Sequence, residues 1–169
     1  MKRIFLGLFC VVITLSVGNN VSAQNKTIIL VRHAEKVAPV DADKGDPDLS
    51  ADGRERAVRL MRAIKKYRPG EIFVTDYKRT RQTAEPIANR RKVQIQTYDP
   101  LHQTDLIPIM MASKTKNYLI VGHSNTVPAF ANLLMKKEIF KPLLDIEYGV
   151  FWVVRMKKGV VKKVEVFPY

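Results

Sequence analysis

Two histidines in this chain of 169 residues close look-alike stretches. His33 follows Thr27-Ile28-Ile29-Leu30-Val31 and Arg32, and His123 follows Tyr118-Leu119-Ile120-Val121 and Gly122. An imidazole can serve as a nucleophile and form a covalent intermediate. Arginine presents a planar fork that matches phosphate oxygens two at a time and stays charged at every relevant pH. Phosphoryl transfer depends mostly on positioning and on stabilising charge at the equatorial oxygens. Arg32, fixed beside His33, is one clamp of that kind. A second is sought at 78–83, which holds Arg79 and Arg81. Arg81 has Glu85 four residues on, an ordinary exposed helix pair, whereas Arg79 has Thr83 there and no acid partner on its own helix. Arg79 is therefore the second candidate.

Rival chemistries fit less well. A catalytic zinc needs three clustered ligands, and His33, His102 and His123 are scattered. Gly122-His123-Ser124-Asn125-Thr126 looks like the strand-turn-helix that presents a hydrolase serine. The final glycine of that pattern is absent, however, and no histidine follows Ser124 to complete the order serine, acid, histidine. Ser124 is kept as a phosphate-binding candidate. Asp41, Asp43, Asp46 and Asp48 lie in the loop 35–49, but a calcium loop needs an acid or amide at its fifth position and glycine at its sixth. Gly45 and Asp46 stand there instead, so the loop reads as a polar rim.

Elements must now hold these residues. Short β-branched runs such as 27–31 and 118–121 read as parallel strands buried on both faces. Ligands in open α/β sheets sit beyond the carboxyl ends of such strands. If the two strands are neighbours, about 4.8 Å apart, both histidines stand side by side at the mouth. Ser50 reads as an N-cap for a helix carrying Ala57, Leu60, Met61 and Ile64, ending near Pro69-Gly70. A second strand is expected at 71–74 and a second helix at 78–91, kinked by Pro86. A third strand follows at 93–97. Residues 104–113 form an amphipathic stretch with Leu106, Ile109 and Met110 on one face. A last helix spans 126–136, and the chain finishes as a hairpin of 150–154 and 160–167 turning at Lys158-Gly159. Strand and helix alternate throughout, which predicts an α/β fold: a three-layer α/β/α sandwich, mostly parallel with an antiparallel finish.

The ends of the chain bear on where it works. Lys2 and Arg3, an apolar run at 4–17 and Val21-Ser22-Ala23 have the layout of a secretory signal cut before Gln24. The run of 14 residues is shorter than the roughly 20 that span a bilayer, and Phe9 before Cys10 argues against a lipid anchor. The expected division is a signal peptide at 1–23 and one domain at 24–169, placed in the periplasm or secreted. Cys10 is the only cysteine, so the domain has no thiol chemistry. Loss of Lys2 and Arg3 takes the net charge from +13 to +11, which favours anionic partners. Aromatic residues do not interleave with the basic ones, and no nucleic-acid motif is present.

Val31-Arg32-His33-Ala34-Glu35, then Thr75-x-x-x-Arg79-x-x-Gln82-Thr83-Ala84, then Val121-Gly122-His123, in that order, resemble the histidine phosphatase superfamily with its phosphoglycerate-mutase-like fold. The resemblance runs from the first strand to the helix after His123. It implies a mixed, mostly parallel six-stranded sheet in which strands one and four are adjacent. It implies a nucleophilic His33 that becomes a phosphohistidine, with Arg32, Arg79 and His123 completing the phosphate pocket. No metal or organic cofactor is implied. Ala34 departs from the usual glycine. Many members also place a glutamate after strand three to protonate the leaving alcohol; here Asp99 is the candidate acid, or else caps the turn at Pro100, and His102 reads as a rim residue.

The short loops leave an open pocket, which suits a small phosphorylated substrate better than a mutase reaction. The resemblance implies a metal-independent hydrolase of phosphate monoesters; the amino-terminal layout adds export with no stable membrane association once the signal is removed, and the charge pattern argues against a nucleic-acid partner. Two alternatives stay open: a non-catalytic phosphate or polyanion binder, and a protein-phosphohistidine phosphatase.

Overall fold

The computed structural model describes residues 25–37 and 45–169. The signal segment at 1–23, and Asp41 and Asp43 of the polar loop, lie outside the described residues.

Strand β1 (Lys26–Arg32) shows why the first apolar run is continuous rather than alternating. Ile28 and Leu30 face one core and Ile29 and Val31 the other, so each side chain has a layer to enter. All four are fully buried, each contributing about 1.5–3 kcal/mol by leaving water. Strands β2 (Glu71–Val74), β3 (Ile95–Thr97) and β4 (Asn117–Gly122) run parallel to β1. Strands β5 (Val150–Lys157) and β6 (Val160–Pro168) close the sheet as an antiparallel hairpin. Lys158 and Gly159, both at positive φ, make its turn, as two-residue hairpin loops require. The order is β3-β2-β4-β1-β5-β6, six strands with β1 and β4 adjacent.

Helices α1 (Ala51–Ala63) and α2 (Lys78–Arg91) cover one face, and α3 (Leu106–Ala112) and α4 (Thr126–Met135) the other. The result is the expected three-layer α/β/α sandwich. Ser50 caps α1 by accepting from the Gly53 amide at 3.0 Å. A Cβ on Gly53 would come within 2.1 Å of the Glu35 carbonyl oxygen, so this turn of α1 packs directly on the backbone that follows His33.

Two sequence expectations change in detail. Strand three begins at Ile95 rather than Val93, because Lys92 ends α2 in a left-handed cap. Helix α2 keeps the expected span, with Pro86 inside it. In α3 the buried arc is Leu106, Ile107, Met110 and Met111, which turns Ile109 away to 52 % exposure.

Candidate active site

Register brings the two histidines together. Arg32 of β1 pairs with Gly122 of β4, and the His33 amide donates to the Gly122 carbonyl at 2.9 Å. Each imidazole therefore leaves its strand one step past the last pair, and the ring centroids stand 5.3 Å apart. Gly122 itself is dictated by crowding. A Cβ there would meet Thr126 Oγ1 at 2.8 Å and the Tyr98 hydroxyl at 2.9 Å.

His33 is 5 % exposed, and its Nδ1 lies 2.8 Å from the Ala34 carbonyl oxygen. A carbonyl can only accept, so Nδ1 carries the proton and Nε2 keeps its lone pair. Burial pulls the His33 pKa down to about 3, the Ala34 bond resisting and His123, Arg79 and Arg32 adding to the drop. The ring is a neutral base with one free nitrogen. On the far side, Thr83 Oγ1 accepts from the Ala34 amide at 2.9 Å and donates to the Arg79 carbonyl at 2.7 Å. The backbone after His33 is thus tied to α2.

His123 is held by Thr75, with Nε2 2.8 Å from Thr75 Oγ1. Thr75 donates to Thr80 Oγ1, and Thr80 donates to the carbonyls of Thr75 and Tyr77. That chain of hydroxyls runs in one sense, which assigns the proton to His123 Nε2 and leaves the other nitrogen for a ligand. Burial, then the charges of Arg79 and Arg32, bring its pKa down to about 4.

The two arginines are anchored differently. Arg32 Nη1 donates to the carbonyls of Leu144, Asp145 and Glu147 at 2.8, 3.2 and 2.9 Å, and its guanidinium lies 3.9 Å over the Tyr148 ring. Arg79 stacks 4.1 Å over Tyr77 and stands 3.5 Å from Asp46, a loop acid that the helix spacing gave no sign of. Its buried Nη1 makes no hydrogen bond. Burial lowers its pKa, against the pull of Asp46. Gln82 accepts from the Leu49 amide and donates to Asp48, so the polar loop is laced to α2.

These groups line one cavity of about 520 Å³: Arg32, His33, Arg79, His123 and Ser124 lie in it, with Asn125 and Thr126 at the start of α4. A helix N-terminus beside two guanidiniums favours an anion with several oxygens. Arg81 is exposed and does not line the cavity. Lys36, Tyr77, Tyr148 and Asp145 line it, and none of them carries a spacing signal in the sequence.

Asp99 is placed elsewhere. Its carboxylate accepts from the Leu101 amide at 2.8 Å and from His102 at 2.7 Å, and it does not line the cavity. The His102 bond holds Asp99 below the usual carboxylate range and lifts His102 above its own. The pair shapes the loop whose Pro100 and Leu101 form the rim. Among the described residues, no three His, Cys, Asp or Glu side chains gather as a metal cage.

The family profile of the histidine phosphatase superfamily (branch 1) matches residues 28–109. Among solved structures, a mycobacterial glucosyl-3-phosphoglycerate phosphatase bound to inorganic phosphate superposes with a TM-score of 0.66 at 14 % identity, over 85 % of this chain and 97 % of that one. The protein histidine phosphatase SixA complexed with tungstate gives 0.67 at 14 %, over 84 % and 96 %. Mycobacterial hydrolase 1 gives 0.68 at 14 %, over 86 % and 99 %. No curated protein sequence matches.

Proposed function

We propose, from the premise that this chain belongs to the histidine phosphatase superfamily, that it is a metal-independent phosphatase acting on phosphate monoesters through a phosphohistidine at His33. The observation that carries this is the tautomer of His33, a buried neutral imidazole with Nδ1 committed to Ala34 and Nε2 free. In the first step Nε2 forms a bond to phosphorus as the ester oxygen departs with its electron pair. Arg32 and Arg79 hold the equatorial oxygens, with Ser124 at the edge of the same set, and His123 joins them once its free nitrogen takes a proton from the bound phosphate monoester. The proton stays on Nδ1 and is donated to the Ala34 carbonyl, which steadies the positive charge of the phosphorylated ring. Water then attacks phosphorus, phosphate leaves, and the neutral imidazole returns.

A second reading is favoured by one feature of the site. Among the described residues Asp145 is the only acid that lines the cavity, and its carboxylate is fully exposed, 3.9 Å from Arg32. Alkyl esters, whose alkoxide is strongly basic, call for a general acid. A leaving imidazole, as in a phosphohistidine substrate, needs less help. SixA, a protein histidine phosphatase of similar fold, acts on that class of leaving group.

One labelling experiment tests the nucleophile. A radiolabelled aryl phosphate, quenched during turnover, is expected to leave acid-labile label on His33, with turnover unchanged by chelator. Reversible phosphate binding without label or turnover would leave only a binding protein.

Export is proposed from the sequence of residues 1–23 alone. Amino-terminal sequencing of protein from the periplasm or medium is expected to begin at Gln24. Retention of Met1 would refute cleavage.

A further inference from the structure

The fold sorts charge along the strands. Strands β1, β2 and β4 begin at the end of the sheet opposite the catalytic cavity. Helix α2 starts at the cavity with Arg79 and ends at that far pole. There Lys65 and Arg68, beyond α1, converge with Arg90 and Arg91 of α2 on a recess of about 490 Å³, and among the described residues these four cations line it. Among the described residues none of the four forms an ion pair with a carboxylate.

The β5–β6 turn reaches the same pole, because β5 runs antiparallel to β1 with Met156 opposite Lys26. It adds exposed Lys157 and Lys158. Two carboxylates of this end are already engaged, Glu71 by Ser113 and Glu138 by Asn132. Acids gather at the other end, where Asp46, Asp48, Asp99 and Asp145 surround the mouth. Helix dipoles favour cations in a last turn and account for Arg90 and Arg91 in part. They do not account for four cations on one recess without a carboxylate partner, Arg91 Nε donating only to the Pro69 carbonyl, nor for the hairpin lysines on the far side of the sheet.

The described chain also enters at this pole, since β1 starts at Lys26. No helix among the described residues is long and apolar enough to cross a membrane.

We propose that this basic pole is a reversible docking surface for an anionic phospholipid bilayer, gripping lipid phosphates in the recess and holding the catalytic mouth toward solvent. Clustered Lys and Arg near a bilayer attract its anionic headgroups, each adding roughly a fivefold gain in binding. A flat anionic surface meets the recess and the hairpin at once, whereas either alone presents few cations. The cavity at the mouth takes single phosphoryl groups; the pole takes a surface.

Vesicle co-sedimentation of the full chain tests this. The readout is the ratio of binding to phosphatidylglycerol-containing vesicles over pure phosphatidylcholine vesicles, so that any contribution of the apolar run cancels. Arg68→Gln/Arg90→Gln is expected to lower that ratio by about twenty-fivefold, and Lys157→Gln/Lys158→Gln to lower it as well. Arg59→Gln/Arg81→Gln removes the same charge outside the pole and is expected to leave the ratio within about twofold. Circular dichroism melting identifies any variant that has not folded, and the other polar pair then decides. An equal drop for all three pairs would overturn the proposal, as would a parent ratio near one. Stronger competition by a DNA duplex than by vesicles at equal phosphate would overturn the choice of lipid.

Discussion

The Nδ1 atom of His33 lies 2.8 Å from the carbonyl oxygen of Ala34, the next residue along the chain. One backbone acceptor thus fixes which nitrogen of a buried ring is free. With the pKa of His33 near 3 and that of His123 near 4, both rings stay neutral far below the usual histidine range. The acid limb of kcat/KM for an aryl phosphate is expected near pH 3 to 4, after correction for the substrate's own ionisation. A limb centred on 6.5, the unperturbed histidine value, would contradict it.

The same shifts set the sign of stability against pH. Both histidines have folded pKa values below their unfolded value, so between about 4 and 6.5 the unfolded chain binds more protons. Their contribution is complete above 6.5 and is lost as pH falls toward the folded values. Tm is expected to fall on going from pH 7 to pH 4, and His33→Gln to flatten part of that slope. Calorimetry across the range measures both.

Removing the nucleophile outright is the sharpest cut. His33→Ala is expected to lower turnover by on the order of ten-thousandfold or more while the circular dichroism spectrum is kept. Turnover within tenfold of the parent would exclude His33 as the attacking group.

The two arginines are expected to separate stability from turnover. Arg79→Ala removes a guanidinium whose buried Nη1 has no hydrogen bond in the fold. It should cost about a thousandfold in kcat/KM with little change in Tm. Arg32→Ala strips three carbonyls of their donor, so it should lower stability as well, by about 2–4 kcal/mol. Urea unfolding of the two variants side by side distinguishes them.

Thr75 acts through His123. Thr75→Val keeps the shape but loses the oxygen that holds Nε2, and kcat is expected to fall about tenfold or more with KM less affected. Thr75→Ser should restore most of the rate. Asp99→Asn, by contrast, changes a side chain outside the cavity and should leave aryl phosphate turnover within about twofold.

Much of this protein was legible before any coordinates. The apolar runs ending in His33 and His123 announced buried strands because a strand covered on both faces must be apolar at every position. Ser50 announced a helix start because its hydroxyl can satisfy an orphan amide. The order of those elements implied the layers, and the resemblance carried by the Arg32-His33, Arg79 and His123 motifs implied the adjacency of β1 and β4.

Only the tertiary structure decided the rest. That Arg79 answers to Asp46, that Arg32 hangs on the carbonyls of 144–147, and that Asp99 turns to His102 all depend on contacts between segments far apart or on loop conformation. Backbone carbonyls leave no trace in residue type, so the loop that seats Arg32 had no signature. Ile109 went to solvent because a periodicity fixes which residues share a face, but not which face the sheet will cover. Local spacing sets what each segment can become; convergence at the cavity, and the gathering of cations at the opposite pole, come from the direction in which each strand and helix finally runs.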